Sequence, residues 1–343
     1  MWVWKNKKDA ERSLRNYISL DGFPEIKGYD FEKKFNYNDF LESYKQIGFQ
    51  GSNLGAAISI FREMIEKKIP IFISFTGNMI SSGNRELITY LVKDQLVAGI
   101  VTTGAAIEED IIKCIKPFHL GSFEAKGSFL SENSIGRIGN IFVPFDRYLY
   151  LEKFLNELFP NLYEKQKENN KALSTHEVAR EAGLLIEKNE HTSEKCKESF
   201  LYWASKNNIP VFCPGITDGA IGDISVFFKN NNKGFAIDIT EDNKALTSLL
   251  MNQEQAASII LGGGISKHFL LNAAIFRDGF EYSIYLTTAA EFDGSDSGGN
   301  QEEAISWAKI KPDAKRIKVL ADATITFPIL VSSIKYNKKS GAY

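Results

Sequence analysis

Cysteine and histidine are both scarce in this chain of 343 residues. The three cysteines, Cys114, Cys196 and Cys213, are an odd and scattered set without a CxxC pair, which argues against a disulfide scaffold and against a zinc knuckle. The four histidines form no cluster with the spacing of metal ligands, so we expect no metal centre. The chain also contains no GxSxG and no P-loop lysine motif.

Long hydrophobic runs and an excess of one charge are missing as well. Apolar stretches reach only about seven or eight residues, whereas a membrane helix needs roughly 20. The start of the chain, MWVWKNKKDAERS, lacks the apolar core of a signal peptide. The 41 lysines and arginines nearly balance the 43 aspartates and glutamates, for a formal net charge of −2, so no surface for nucleic acid is expected. We therefore expect a soluble cytoplasmic protein that binds neither nucleic acid nor membranes.

What the sequence does contain is an alternation of short apolar runs and helical patterns, which is typical of βαβ units and a mostly parallel sheet. Helical spacing marks residues 52–68, and Ser81-Ser82-Gly83 offers an N-cap for the next helix. Strand-like runs lie at 71–75, 97–104, 209–213, 234–239, 257–264, 282–288 and 317–322. The pattern predicts an α/β fold with one large, mostly parallel, doubly wound sheet of Rossmann-like type, about seven or eight strands and helices on both faces.

Changes in composition predict the boundaries. Residues 1–45, rich in charge and aromatic rings but without periodicity, are expected to form an irregular N-terminal arm. Residues 46–335 are expected to form a single α/β domain, in which the polar segment 150–208 is a helical excursion packed on the sheet. A disordered insert is the alternative, because KQKENNK looks solvated. Residues 336–343 are a polar tail.

Five of the predicted strands end in loops of small and polar residues. These are TGNMISSG (76–83), TTGAA (102–106), PGITDGAIGD (214–223), LGGGISKH (261–268) and TTAAEFDGSDSGG (287–299). In an open parallel sheet, ligands bind beyond the carboxyl ends of the strands. Five such loops favour one extended ligand cleft.

Two of these loops leave alternatives open. The glycines at 262–264 let backbone N–H groups approach a phosphate, but the spacing is GGGxxK rather than GxGxxG, and a close-packed turn is also compatible. Glu291, Asp293 and Asp296 do not have the spacing of a calcium loop. They are either a solvated acidic turn or a cation-binding wall for an amine substrate.

Two single residues are candidates for chemistry. Lys309 lies near a predicted helix end, and Glu303 and Trp307 share a face of that helix. Taken alone it is an ordinary surface lysine, and only Trp307 and the acidic loop suggest a nucleophile. His268 directly follows a Gly-rich strand end, which favours a cleft over a core position.

In their order along the chain, a set of motifs resembles the deoxyhypusine synthase family. They are GNMISSGNRE, VTTGAAIEEDIIKC, RIGNIFVP, YWASKNNIPVFCPGITDGAIGD, IILGGGISKHF, EFDGSDSGG with AISWAKI, and KVLADATITFP. The match runs from residue 28 to residue 331, nearly the whole chain, although 160–195 and the tail match poorly.

The resemblance implies an NAD-dependent transfer. In this family NAD takes a hydride from spermidine, the imine loses its propane-diamine portion, and an active-site lysine holds the butylimine as a Schiff base. The imine then passes to one lysine of translation initiation factor 5A, where the same NADH reduces it. The resemblance also implies a homotetramer, a dimer of dimers with active sites between subunits.

Two catalytic groups are implied by the resemblance. Lys309 matches the imine-forming lysine, and His268 matches the residue that accepts and returns protons at the oxidised carbon. Lys309 must be uncharged to attack, and lowering a lysine pKa by about 3 units costs about 4 kcal/mol. The acidic loop opposes that shift, so burial against Trp307 and the nearby polyamine cation would have to supply it.

The remaining residues that the resemblance implies form a cofactor side and a substrate side. The cofactor side comprises Gly77, Asn78, Met79, Ile80, Ser81, Thr103, Gly104, Ala105, Glu109, Asp218, Gly263, Thr288, Ala289, Asp322 and Ala323. The substrate side comprises Glu108, Glu109, Asp223, His268, Gly294, Ser295, Asp296, Glu303, Trp307 and Lys309. Asp218 and Asp322 suit ribose hydroxyls and would repel the extra phosphate of NADP, while several spaced carboxylates hold a flexible polycation in one register.

The chain departs from the family pattern in four places. SWAKI stands for SWGKI, KHF for KHH, TTGAA for TTAGG, and Gly77 for a serine that contributes a hydroxyl to NAD. These changes bear on cofactor affinity and leave the Lys309 chemistry in place. Three alternative functions remain: an enzyme that passes the butylimine to putrescine (homospermidine synthase) or acts on agmatine, a silent subunit that supports an active paralogue, and a generic NAD dehydrogenase.

Overall fold

The computed structural model describes residues 19–335, so the predicted tail, 336–343, and the first 18 residues of the predicted arm lie outside the described range. The helices are α1 (Tyr37–Ile47), α2 (Phe49–Glu66), α3 (Asn78–Ser81), α4 (Arg85–Lys93), α5 (Gly104–Ile115), α6 (Gly127–Glu132), α7 (Asp146–Asn169), α8 (Thr175–Lys188), α9 (Phe200–Lys206), α10 (Ala220–Asn231), α11 (Ile239–Met251), α12 (Gly264–Ala274), α13 (Gln301–Ser306) and α14 (Ala323–Lys335). The strands are β1 (Ile71–Ser74), β2 (Gly99–Val101), β3 (His119–Leu120), β4 (Ile135–Ile138), β5 (Ile141–Pro144), β6 (Val211–Phe212), β7 (Ala257–Leu261), β8 (Phe280–Thr287) and β9 (Ile310–Leu320). None of these helices is both long enough and apolar enough to cross a membrane.

The main sheet has six strands in the order β6-β2-β1-β7-β8-β9, and each neighbouring pair is parallel. From β1 the chain proceeds outward through β2 to β6, returns to β7 on the other side of β1, and continues to β8 and β9. This order places a topological switch point between β1 and β7, where loops leave in opposite directions and open a crevice. The predicted doubly wound α/β sheet is confirmed, with six strands rather than seven or eight.

Side chains of the sheet alternate between two apolar layers, one on each face. In β1, Ile71 and Ile73 join a large cluster with residues of α2, α5 and α7, whereas Phe72 joins a smaller cluster with residues of α11 and α12. A strand that is covered on both faces must be apolar at nearly every position. This is why three of the four residues of β1 (IFIS) are apolar and all four are buried.

The segment 150–208 is helical, as predicted. Helices α7, α8 and α9 form most of it, and apolar side chains such as Phe154, Ala182 and Phe200 belong to the large cluster. Helix α8 begins at a capping box, in which Ser174 and Glu177 each accept a hydrogen bond from the other's backbone N–H. These buried helices rule out the alternative of a disordered insert here, while the assignment of 46–335 to one domain stays a prediction.

The predicted irregular arm is wrong for its last part, where α1 begins. Asn36 caps this helix by accepting a hydrogen bond from the Asp39 N–H at 3.0 Å. The buried side of α1 is a single leucine, Leu41, flanked by half-buried aromatic rings. The apolar positions 37, 40, 41, 44 and 47 of α1 recur at helical spacing, so the sequence contains the helical pattern and the prediction of an arm is wrong here.

The strand predicted at residues 234–239 is also wrong. Only Ile237 makes a bridge, with Leu173. The side chain of Asp238 accepts hydrogen bonds from the N–H groups of Thr240 and Glu241 and thereby starts α11. An aspartate at an N-cap ended the extended segment before it could pair.

Two further differences are local. The predicted N-cap at Ser81-Ser82-Gly83 is wrong, because Ser81 ends α3 and the residue before α4 is Asn84, which makes no side-chain cap. A three-stranded antiparallel sheet, β3-β5-β4, was not predicted. Its strands have two to four residues, too few for a periodic pattern.

A fully buried ion pair joins three of the helices. Arg85, at the start of α4, donates from Nε to Oδ1 of Asp110 in α5 at 2.7 Å, and the two side chains are 1% and 0% exposed. The other carboxylate oxygen accepts from the Ser199 hydroxyl at 2.6 Å and the Leu201 N–H at 3.1 Å, at the start of α9. Because both carboxylate oxygens have partners, the charges are compatible with burial and fix α4, α5 and α9 relative to one another.

We expect Asp110→Ala to lower the free energy of unfolding by about 3–5 kcal/mol, because it leaves the buried Arg85 guanidinium with only a longer contact, 3.8 Å, to the exposed carboxylate of Glu198. Denaturant unfolding measures this loss. The control is Glu187→Ala, which breaks a more exposed pair with Lys206 (2.6 Å) and should cost less than about 1 kcal/mol. Equal losses in the two variants would contradict this account of Asp110.

Candidate active site

The five predicted loops follow β1, β2, β6, β7 and β8. Because these strands are parallel, their carboxyl ends and the loops lie at one edge of the sheet. The loop that begins at Gly77 and the turn at 262–264 lie on either side of the switch point between β1 and β7. This crevice is where open α/β sheets bind dinucleotides.

The turn at 262–264 has features of both alternatives that its sequence left open, a backbone that a phosphate can approach and a close-packed turn. Gly262 and Gly264 have φ values of +83° and +70°, which L side chains rarely adopt, and no atom lies within 4 Å of a Cβ built on either. A Cβ on Gly263 would lie only 2.4 Å from the Cα of Ser297. The outer glycines are therefore open to a ligand, and the middle one is close-packed against the acidic loop.

A half-buried lysine holds the loop after β1. Lys113 of α5 donates from Nζ to the carbonyls of Ile80 at 2.9 Å and Ser82 at 3.1 Å, and burial lowers its pKa from the ordinary value. The Gly77 N–H donates to Thr103 Oγ1 at 3.1 Å. The loops after β1 and β2 are thus tied together, which brings most of the predicted cofactor side into one place.

Glu109 is a buried carboxyl behind the same loop, and the Ser81 hydroxyl donates to its Oε2 at 2.5 Å. Burial raises the pKa of Glu109 to about 8, the hydrogen bond from Ser81 opposes this, and the neighbouring Glu108 adds to it. A cation placed beside Glu109 would favour its ionised form.

Glu108 contacts the main chain rather than an open surface. Its Oε2 accepts from the Ile221 N–H at 3.1 Å, at the start of α10. Burial raises the pKa of Glu108, while hydrogen bonds from the N–H groups of Ile221 and Ala220 lower it. Asp218 and Asp223, before and inside the first turn of α10, are exposed.

On the other side of the switch point, His268 of α12 is paired with the acidic loop. Its Nδ1 lies 3.1 Å from Oδ1 of Asp296, and both residues are exposed. An acceptor on Nδ1 fixes the orientation of the imidazole and leaves Nε2 for a ligand.

Two lysines that the sequence did not single out hold this acidic loop. Lys267, 4% exposed, donates from Nζ to the carbonyls of Asp296 and Gly299, the latter at 3.1 Å. Lys318 of β9 donates to the Gly298 carbonyl at 2.9 Å. Together with Lys113 they are the site residues that sequence reasoning missed. Their one signal was a lysine inside an otherwise small or apolar motif, as in GGGISKH.

The backbone position of Lys309 is set by a helix-ending turn after α13. The N–H of Ala308 donates to the Ile305 carbonyl and that of Lys309 to the Ala304 carbonyl, each at 2.9 Å. This pair of bonds is a Schellman motif, whose left-handed position favours glycine. Ala308 occupies it with φ +54°, which explains why the family pattern has SWGKI.

Lys309 lies in the turn between α13 and β9. The residue precedes β9 and accepts from the Phe280 N–H at the start of β8 (3.2 Å), so its backbone lies at the amino edge of the sheet. Burial lowers the pKa of Lys267, and the charge of Lys309 adds to that, so the ammonium groups are within electrostatic range. Trp307 is 63% exposed and Lys309 is half-buried in one described chain, so the shelter of the Lys309 amine by this indole stays a prediction.

The other predicted residues lie at the ends of β8 and β9. Oδ1 of Asp322 accepts from the N–H and the hydroxyl of Thr324, each at 2.7 Å, before α14 begins at Ala323. Thr288 is exposed and Ala289 half-buried. Gly294 and Ser295 are exposed in the acidic loop, and Glu303 is exposed in the first turn of α13.

Gly77 and Ala105 are in direct opposition across the loops after β1 and β2. A Cβ on Gly77 would lie 2.5 Å from the Cβ of Ala105. The family pattern has a serine at the first position and, in TTAGG, a glycine at the second. The two departures from the family pattern, at Gly77 and Ala105, therefore compensate each other: the larger residue stands on the opposite side of the same contact.

Comparison with known proteins points to one family. A family model for deoxyhypusine synthase matches residues 39–334. A Methanocaldococcus jannaschii protein named "Probable deoxyhypusine synthase" is 44% identical over 326 residues, 93% of this chain and 98% of that protein. The deoxyhypusine synthase of Senecio vernalis is 40% identical over 341 residues, 92% of this chain and 90% of that protein. A crystal structure from Entamoeba histolytica, assigned to deoxyhypusine synthase, has a TM-score of 0.62 and 27% identity over 90% of this chain and 96% of that chain.

We expect Ala308→Gly to raise the free energy of unfolding by about 1 kcal/mol, because glycine adopts the left-handed conformation without a Cβ clash. Thermal unfolding measures the change. Ala304→Gly, inside α13, is the control and should lower stability by about 1 kcal/mol or more. A308G that is no more stable than the parent would count against the left-handed turn.

Gly77→Ser should cost roughly 1–3 kcal/mol of stability, because its Cβ collides with the methyl group of Ala105. Adding Ala105→Gly should recover most of that loss. A double-mutant cycle of unfolding free energies measures the coupling, which we expect to be about 1 kcal/mol or larger. Additive effects would mean that the two positions do not compensate each other.

Proposed function

The chain belongs to the deoxyhypusine synthase family and is a transferase of that class, and from this premise we propose its reaction. It transfers the aminobutyl group of spermidine to one lysine of translation initiation factor 5A, with NAD as cofactor, in the cytoplasm. The observation that carries the proposal is the strand order, whose switch point between β1 and β7 is of the kind that binds dinucleotides. The same chain has exposed carboxylates and Lys309.

The residues around the switch point fit NAD. The strand order is the one in which dinucleotides bind beyond β1, and the open outer glycines at 262–264 allow backbone N–H groups to approach a diphosphate. Asp218 and Asp322 are exposed after β6 and β9, the two edge strands of the sheet, and their carboxylates can accept from ribose hydroxyls. The loops 77–81 and 103–105, with Thr288, Ala289 and Ala323, complete the proposed cofactor side. When bound, NAD accepts a hydride from the amine and returns it at the end of the cycle.

The substrate side fits a polyamine, whose charges are spaced along a flexible chain. Asp223, Asp296 and Glu303 are exposed and separate from one another in the sequence, and Glu109 becomes ionised when a cation is near. Several separate carboxylates bind such a chain in one register. We propose that the exposed indole of Trp307 covers the methylene groups and contacts a nitrogen cation.

Lys309 provides the nucleophile. Its uncharged Nζ adds to the imine carbon of oxidised spermidine, the bond to the propane-diamine nitrogen breaks as that nitrogen takes a proton, and a new C=N bond joins Nζ to the butyl chain. The same exchange with the acceptor lysine frees Lys309. His268, oriented by Asp296, moves the protons at the oxidised centre.

A second copy of the chain completes the proposed site. Trp307, His268 and Asp223 are exposed in one chain, whereas imine chemistry needs water to be kept out. We therefore propose a homotetramer, a dimer of dimers, in which the cofactor loops of one copy face the amine-binding residues of another.

Given NAD and labelled spermidine, borohydride should trap a labelled adduct on Lys309, and initiation factor 5A should then accept the label when borohydride is left out. Lys309→Arg should form no adduct and react at least roughly 10³-fold more slowly, because a guanidinium stays protonated. Peptide mapping and label transfer measure the two results.

The matched control is Lys311→Arg, two residues further on in β9 and paired with Glu281 at 2.7 Å, which should keep the parent rate. An adduct that survives in Lys309→Arg would reject the role of Lys309. Label that reaches putrescine but not the factor would reject the protein acceptor and identify a homospermidine synthase instead.

A further inference from the structure

Glu108 was expected to grip the polyamine, yet its carboxylate is engaged elsewhere. It lies in α5 with only 5% of its surface exposed. Its Oε2 accepts from the Ile221 N–H at 3.1 Å, and the Ala220 N–H is a second donor to it. Both donors belong to the first turn of α10.

Helix α10 lacks a cap of its own. Its N-cap residue is Gly219, which has no side chain to accept from the free N–H groups of the first turn. A carboxylate in that place satisfies these donors and is also attracted by the positive end of the helix dipole. Glu108 therefore supplies, from another helix, the cap that α10 is missing.

The contact is close, and a side chain on Gly219 would displace the Glu108 carboxylate. Gly219 has φ +155°, and a Cβ built on it would lie 2.9 Å from Oε2 of Glu108. The capped turn directly follows Asp218 and contains Asp223, and both of these carboxylates are exposed. Whatever fixes this turn fixes the proposed ribose-binding and ammonium-binding groups together.

We infer that Glu108 is a positioning residue, which caps α10 and so sets the places of Asp218 and Asp223, rather than a ligand of the polyamine. The inference rests on the proposed function for the roles of those two aspartates. It separates Glu108 from Glu109, its neighbour in sequence, whose partner is the Ser81 hydroxyl.

Reach and charge can be tested separately at this position. Glu108→Gln keeps the length and an acceptor oxygen but loses the charge; Glu108→Asp keeps the charge but is one methylene shorter. A cap requires a side chain long enough to contact the first turn of α10. In Glu108→Gln, the NAD dissociation constant and the KM for spermidine should therefore stay within about threefold of the parent values. Asp should raise both the NAD dissociation constant and the KM for spermidine by about tenfold, a typical effect of a lost cap.

Hydrogen exchange supplies a readout that does not depend on turnover. The amides of residues 220–222 should exchange about tenfold faster in Glu108→Asp than in the parent, and close to the parent rate in Glu108→Gln. Asp223→Asn is the matched control. It should raise the KM for spermidine and leave the exchange of these amides and the NAD affinity unchanged.

The opposite ranking of the two variants would overturn the inference. In that case Glu108→Gln would raise the KM for spermidine more than Glu108→Asp does, and amide exchange and NAD affinity would be unchanged in both. Glu108 would then be a direct ligand of spermidine through its charge. If the parent chain turns over no spermidine, the proposed function fails, and the amide exchange of the two variants still decides whether Glu108 caps α10.

Discussion

The buried pair between Arg85 and Asp110 is the constraint on which the candidate site depends. Asp110 directly follows Glu108 and Glu109 on α5, so the contacts that fix Asp110 also fix the rotation of this helix and the directions of both carboxyls. Burying three consecutive acids is costly. Each has a different compensation: a guanidinium for Asp110, helix amides for Glu108 and a hydroxyl for Glu109.

The lysines around the site donate hydrogen bonds to backbone carbonyls rather than form ion pairs with carboxylates. Lys113, Lys267 and Lys318 donate to loop carbonyls on the two sides of the switch point. A carbonyl satisfies the hydrogen bonds of an ammonium group without neutralising a carboxylate. Among residues 19–335, Asp223 and Glu303 form no ion pair, so their carboxylates remain available to the cationic ligand that we propose.

The strands of the main sheet and the loops that follow them were predictable, because a parallel strand covered on both faces leaves an unbroken apolar run with glycine at its end. The Asp238 cap was not, since it depends on a local hydrogen bond. Helix α1 was predictable from the helical spacing of its apolar residues, although it lies in a segment rich in charge and aromatic rings. The resemblance identified Glu108 among the site residues but assigned it to the substrate. Its partner is the Ile221 N–H, more than 100 positions away in the sequence. A local sequence pattern cannot predict a contact over that separation.

The contact between Gly263 and Ser297 links the two halves of the site mechanically. Because no methyl group fits between them, the turn at 262–264 cannot shift toward the acidic loop without pushing it. Asp296, next to Ser297, would carry that displacement to the imidazole of His268. The turn at 262–264, proposed to bind the cofactor, and the pair of His268 with Asp296, proposed to move protons, are therefore coupled through Ser297.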